Sequence, residues 1–203
     1  MTSNFVELNR VIKNAISKIN SDGEIPAKNH KEIYDLLTVI NNNTNPVKSN
    51  DHLQFTLELA CVRKVLFIAN EHTPIFNKVR DLLAKSHKVV DGLAAIEERE
   101  ELENLNYGFS TELEDITDEG EENLIVSYVG WACVSAINSI LYGMEYEPVG
   151  IPETQTDPDN WTAAYYSSVA FSGGGAWEST GDKLKRKEFW LWYLTELIPS
   201  LFD

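Results

Sequence analysis

Between Glu97 and Glu122 the chain carries twelve carboxylates, at positions 97, 98, 100, 101, 103, 112, 114, 115, 118, 119, 121 and 122. One basic residue, Arg99, stands among them, so the local charge is −11. Carboxylates three or four apart share a helix face and can offer oxygens to a hard cation. No histidine lies in the run to complete a carboxylate-bridged metal centre. A metal-dependent hydrolase built on residues 97–122 is therefore an alternative rather than the first expectation. The same stretch interleaves Leu102, Leu105, Tyr107, Phe109, Leu113 and Ile116 with the charges. Apolar anchors beside charged groups are what a protein interface needs. Tyr107, Phe109, Glu112, Glu114, Asp115 and Asp118 are accordingly the candidate partner-binding residues. A solvated acidic loop with no partner explains the run equally simply.

The remaining chemistry-bearing residues are scattered. His30, His52, His72 and His87 have no second imidazole at a helical spacing of three or four, and they read as surface or capping residues. Gly173-Gly174-Gly175 could approach a phosphate closely, but it follows a helical pattern instead of opening one, which fits a helix cap and turn. The chain lacks a P-loop, a nucleophile elbow, a His-Glu-x-x-His pair and a Cys-x-x-Cys pair. Cys61 and Cys133 sit in apolar helical contexts, where a free thiol behaves as a small hydrophobe. The sequence thus calls for no catalytic residue, no metal and no cofactor.

A formal net charge of −15 disfavours nucleic acid and anionic membrane as partners and favours a basic protein surface. The N-terminal stretch mixes charges into its apolar pattern from Glu7 onward, unlike a secretory leader, and no run of about 18 apolar residues follows. The expected compartment is the cytoplasm.

These residues must be positioned by helices. Phe5, Leu8, Ile12, Ala15, Ile16 and Ile19 mark a first amphipathic helix, stopped near Asp22-Gly23, and Ile33, Leu36, Leu37 and Ile40 mark a second. Asp51 is a candidate cap for a third, from Leu53 to about Glu71, and Thr73-Pro74 opens a fourth that the spacing carries to about Leu102 with a bend near Gly92. The most apolar helix starts near Glu121 and ends near Gly143. Residues 147–158, with three of the seven prolines, read as a surface loop. A short helix from Trp161 to about Phe171, capped by Asp159 or Asn160, and a last one from Gly181 to Leu197, stopped by Pro199, complete the chain. All five tryptophans lie after residue 130, and Trp161, Trp190 and Trp192 are expected in the core. The predicted class is all-α, one domain over residues 1–203, a bundle of about seven helices with an acidic loop at 97–122.

The C-terminal fifth carries a more specific pattern. Asp157-Pro158-Asp159-Asn160-Trp161-Thr162-Ala163-Ala164-Tyr165-Tyr166, then Gly173 to Trp177, then Arg186-Lys187-Glu188-Phe189-Trp190-Leu191-Trp192-Tyr193-Leu194 and Ile198-Pro199 resemble the tail of the bacterial polymorphic-toxin immunity proteins of family five. That family ends with a Trp-Asp-Ala-Ala helix, a glycine-rich turn and an Arg-Arg-x-Phe-Trp-x-Trp-Trp-Leu helix closing on Ile-Pro. Thr162 replaces the usual Asp here, and Lys187 replaces a frequent second Arg. The resemblance implies an all-α immunity protein, without catalysis, that binds and neutralises a cognate toxin domain. It assigns no binding residue. Within the motif, Arg186 pairing with a carboxylate such as Asp159 would pin the last two helices together. The rival to a toxin inhibitor, besides the hydrolase, is an adaptor or structural protein without a toxin.

Overall fold

Apolar residues spaced by three and four turn each segment into a helix with one side that must be covered, and covering those sides against one another builds a bundle. A computed structural model describes residues 3–44, 52–118, 121–143 and 161–202. Its helices are α1 (Ser3–Ser17), α2 (Ala27–Thr44), α3 (His52–Val65), α4 (Thr73–Val90), α5 (Ile96–Asp118), α6 (Glu121–Tyr142), α7 (Ala163–Ser172), α8 (Lys183–Trp192) and a last turn, α9 (Ile198–Ser200). No strand occurs among the described residues. The architecture is the all-α bundle expected.

α6 and α7 form the centre. α6 packs against α3, α4, α5 and α7, and α7 also packs against α3 and α8. α6 is long and apolar enough, by composition, to cross a membrane, but most of it is buried inside the bundle. Val129, Ala132, Cys133, Ala136 and Ile137 are fully enclosed, and Trp131 stacks on Tyr166 of α7 with ring centroids 6.5 Å apart. Close approach of α5 relies on Gly130, where a Cβ would collide with the Leu113 side chain.

Several boundaries depart from the sequence expectation. Gly92 does not bend one long helix. Its φ of +70° ends α4 at Val90, and a separate helix, α5, begins four residues later. α2 runs past its last apolar marker, Ile40, through Asn42 and Asn43 to Thr44. The α7 cap is Thr162, whose side chain accepts from the Tyr165 N–H at 3.2 Å. The candidate caps Asp51, Asp159 and Asn160 and the loop 147–158 lie outside the described residues. The glycine cap holds as expected, with Gly173 at φ +74° and the Gly174 N–H bonded back to the Val169 carbonyl at 3.0 Å. Pro199 does not stop the chain. A π-helical turn at Tyr193–Leu197 widens the spiral before it, so the ring missing an N–H sits in the following turn. Trp190 is fully buried and Trp161 nearly so. Trp192 is only half-buried and carries the Lys64 ammonium 4.6 Å from its ring centroid.

Candidate functional site

The acidic segment is a helix, not a loop. α5 buries Leu102, Asn106, Phe109 and Leu113, a four-three-four spacing that lays one stripe against α6. Asn106 supplies the polar element of that stripe. Its amide donates to Asn138 Oδ1 at 2.8 Å and to the Val134 carbonyl at 3.4 Å. The carboxylates occupy the other sides, and their sides differ. Toward α4, Glu98 meets Lys88 at 2.5 Å, Glu101 meets Lys85 at 2.8 Å, and Glu112 meets Lys78. The Lys88 hydrogen bond holds the Glu98 carboxyl below its usual range and raises Lys88 in return. Toward α6, Glu103 accepts from the Tyr142 hydroxyl at 2.5 Å, and Arg99 donates to the Leu141 carbonyl at the α6 C-terminus. Outward, Glu97, Glu100, Glu114 and Asp115 have no basic side chain within salt-bridge distance among the described residues.

The sequence-predicted binding residues are divided by this geometry. Tyr107 is 76% exposed and stands on the outward side with Glu100 and Glu114. Phe109 is only 2% exposed. Two residues along a helix turn the side chain by about 200°, which carries it from the outer face into the core. Phe109 thus fixes α5 to the bundle, with Lys78 Nζ 5.8 Å from its ring centroid. Glu112 is exposed but engaged by Lys78, Glu114 and Asp115 are exposed, and Asp118 closes α5 with its side chain outside the described atoms.

A second cluster of chemically competent groups is wholly internal. Glu58 of α3 has no exposed surface. It accepts from the Tyr34 hydroxyl on one oxygen and from the Ala163 N–H at 2.6 Å on the other. Burial raises its carboxyl above the usual range, against the opposing pull of Tyr34, His30 and the amides of Ala163 and Ala164. His30 is also fully enclosed, with Nε2 3.0 Å from the Tyr193 hydroxyl and its ring edge-on to Trp190 at 5.3 Å. This corrects its expected place at the surface. His52 and His72 are half-buried and His87 is exposed. Arg186, 1% exposed, donates to the carbonyls of Asp22 and Gly174 at 2.7 Å each and places Nε 3.7 Å from Glu24. Its carboxylate is therefore Glu24, across the bundle, and Asp159 lies outside the described residues. The two sets join α2, α3, α7, α8 and the α1–α2 turn. Nothing in sequence marked Glu58, because a lone glutamate in an apolar helix looks the same whether its side faces water or α7.

The profile of the family described as Immunity protein Imm5 matches residues 12–200, nearly the whole chain. The chain belongs to the Imm5 family. No curated protein matches it. The resemblance carried by the C-terminal fifth therefore extends from the last part of α1 to α9. The motif residues that carried it, Trp161, Arg186, Phe189 and Trp190, are core residues of this Imm5 fold, where they hold helices together.

Proposed function

We propose that this immunity protein binds a cognate toxin domain stoichiometrically in the cytoplasm and presents the outward side of α5 to a basic toxin surface. The carrying observation is the sorting of charge on α5. Carboxylates facing α4 are matched by Lys78, Lys85 and Lys88, whereas Glu97, Glu100, Glu114 and Asp115 have no matching cation among the described residues and share the outward part of α5 with the exposed Tyr107 ring. Unmatched like charges repel one another, and a basic partner relieves that repulsion while their field speeds encounter. Nucleases, which are basic because their substrate is anionic, are suitable targets, and nucleic acid and membrane itself are not.

A hydrolase would need several carboxylates converging on one ion. The α5 carboxylates point to three different sides of the helix, and no group of three His, Cys, Asp or Glu among the described residues could hold a metal ion. The reading is tested by co-expressing the full chain with the toxin domain encoded beside it. Growth should be restored only when the chain is at least equimolar, and the two should co-elute at one-to-one stoichiometry. Protection by trace amounts of the chain would favour catalysis, and no protection at any ratio would refute the proposal.

A further inference from the structure

The α5 face does not end at its charges. Of the ten large apolar side chains exposed among the described residues, five, Leu93, Ile96, Leu105, Tyr107 and Tyr142, lie on the α4–α5 turn, on α5 or at the end of α6. Ile96, Glu100, Glu103 and Tyr107 follow one another at intervals of four, three and four, so they run along a single side of α5. That stripe runs eleven steps along the helix, about 16 Å. Tyr142, 64% exposed, is held against it by its hydroxyl's bond to Glu103, and Leu93, 76% exposed, stands just before Ile96 on the turn. Arg99, the basic residue nearest the stripe in sequence, donates to the Leu141 carbonyl.

We infer that Leu93, Ile96, Tyr107 and Tyr142, with Glu100 and Glu103 between them, form one docking surface for an extended or helical segment of the toxin that alternates Lys or Arg with apolar side chains. The inference rests on the toxin-binding reading above and deepens it by assigning residues of the α4–α5 turn and α6 that the acidic run does not contain. Charge complementarity selects the occupant. A purely apolar segment would strand Glu100 and Glu103 without water or a counter-charge, and a purely basic one would leave Ile96 and Leu93 uncovered. A second copy of the chain is a poor occupant, because two bodies of charge −15 repel each other. About five residues of extended chain, or three turns of helix, match the 16 Å stripe.

Hydrogen exchange of the full chain, with and without the toxin domain encoded beside it, tests this together with dissociation kinetics. Toxin should slow exchange in residues 93–107 and around residue 142. Leu93→Ser combined with Ile96→Ser should speed dissociation at least tenfold at an unchanged melting temperature. Leu184→Ser, 72% exposed on α8, should leave dissociation at the wild-type rate. If toxin binds but protects other helices, and the double variant dissociates as the wild type does, the surface is wrong while the immunity reading stands. If the wild-type chain does not bind the toxin domain at all, both fall. Protection of 93–107 that rises with the chain's own concentration, without toxin, would give the surface to a second copy and overturn the assignment.

Discussion

Arg186 and Lys85 each face one glutamate, and the two ion pairs have little else in common. Arg186 and Glu24 are exposed by 1% and 4%, and the guanidinium's two terminal nitrogens each donate to a main-chain carbonyl, of Asp22 and of Gly174. Lys85 and Glu101 are 40% and 56% exposed on the α4–α5 edge, where water screens them. Burial makes the first pair a clamp: it joins the α1–α2 turn, where a Cβ on Gly23 would strike the Lys183 carbonyl, to the glycine turn and α8. Exposure makes the second pair dispensable for folding and leaves the helix's other carboxylates available. Most of the described residues that carried the family resemblance, Trp161, Tyr165, Arg186, Phe189 and Trp190 among them, are of the first kind. Motifs of this sort report what holds a fold together, and the surface that meets a partner is sought elsewhere.

The two pairs differ most when each loses its cation. Arg186→Ala takes the guanidinium away from the buried Glu24, which keeps the Tyr165 hydroxyl as a partner, and removing one member of a buried ion pair costs about 3–5 kcal/mol. Lys85→Ala should cost less than about 1 kcal/mol, the ordinary range for a surface pair. Urea unfolding of both variants measures the difference. Similar losses for the two would mean that Arg186 is not the clamp its burial implies.

How far this was legible in sequence follows the same division. Apolar residues located α1 because it buries one stripe, and α3 and α6 because they bury apolar residues on most sides. It failed at α5, whose stripe Leu102, Asn106, Phe109, Leu113 is interrupted by a polar residue and crowded by carboxylates, so that charge read as loop. Asn106 belongs in the stripe only because Val134 and Asn138 of α6 accept its amide, a partner 28 to 32 residues away. Glu24, His30 and Glu58 were illegible for the same reason: their counterparts Arg186, Tyr193 and Ala163 come from the opposite end of the chain. On the candidate face, a helical wheel drawn on the acidic run would have turned Phe109 inward and left Tyr107 out. Tyr142 required knowing that α6 ends beside α5.

A second prediction compares carboxylates within and outside the core. Because burial raises the Glu58 carboxyl, the folded chain takes up a proton there more readily than the unfolded one. The stability this group contributes is fully present below the ordinary glutamate range and is lost as pH rises through its raised folded value. Glu58→Gln removes that titration. Wild type should therefore lose stability relative to Glu58→Gln as pH rises from acid toward neutral, by less than the loss from Arg186→Ala. Chemical denaturation of both proteins across that window reads the effect, and a constant difference at every pH would show that Glu58 does not titrate on folding. Glu98, exposed and lowered by Lys88, carries the opposite sign and cancels in the comparison.

The smallest effect lies within α5 itself, between its outward and inward carboxylates. Changing Glu97, Glu100, Glu114 and Asp115 to Gln and Asn removes charge that no lysine among the described residues balances, so folding should be unchanged or slightly firmer as self-repulsion falls. Association with a basic toxin should slow about tenfold at low salt, since long-range attraction acts before contact, and the deficit should shrink as salt screens both proteins. Changing Glu98, Glu101 and Glu112 instead removes charge already neutralised by Lys88, Lys85 and Lys78. By net charge alone the two variants differ by one unit, and an attraction that depended only on overall charge would slow both nearly alike. An oriented face predicts otherwise: the inward set exposes three lysines toward the α4 edge and shifts the on-rate by much less than the outward set. Stopped-flow association across a salt series separates the two cases. Equal slowing by both variants would assign the attraction to the −15 of the whole molecule and remove α5 as the side that meets the toxin.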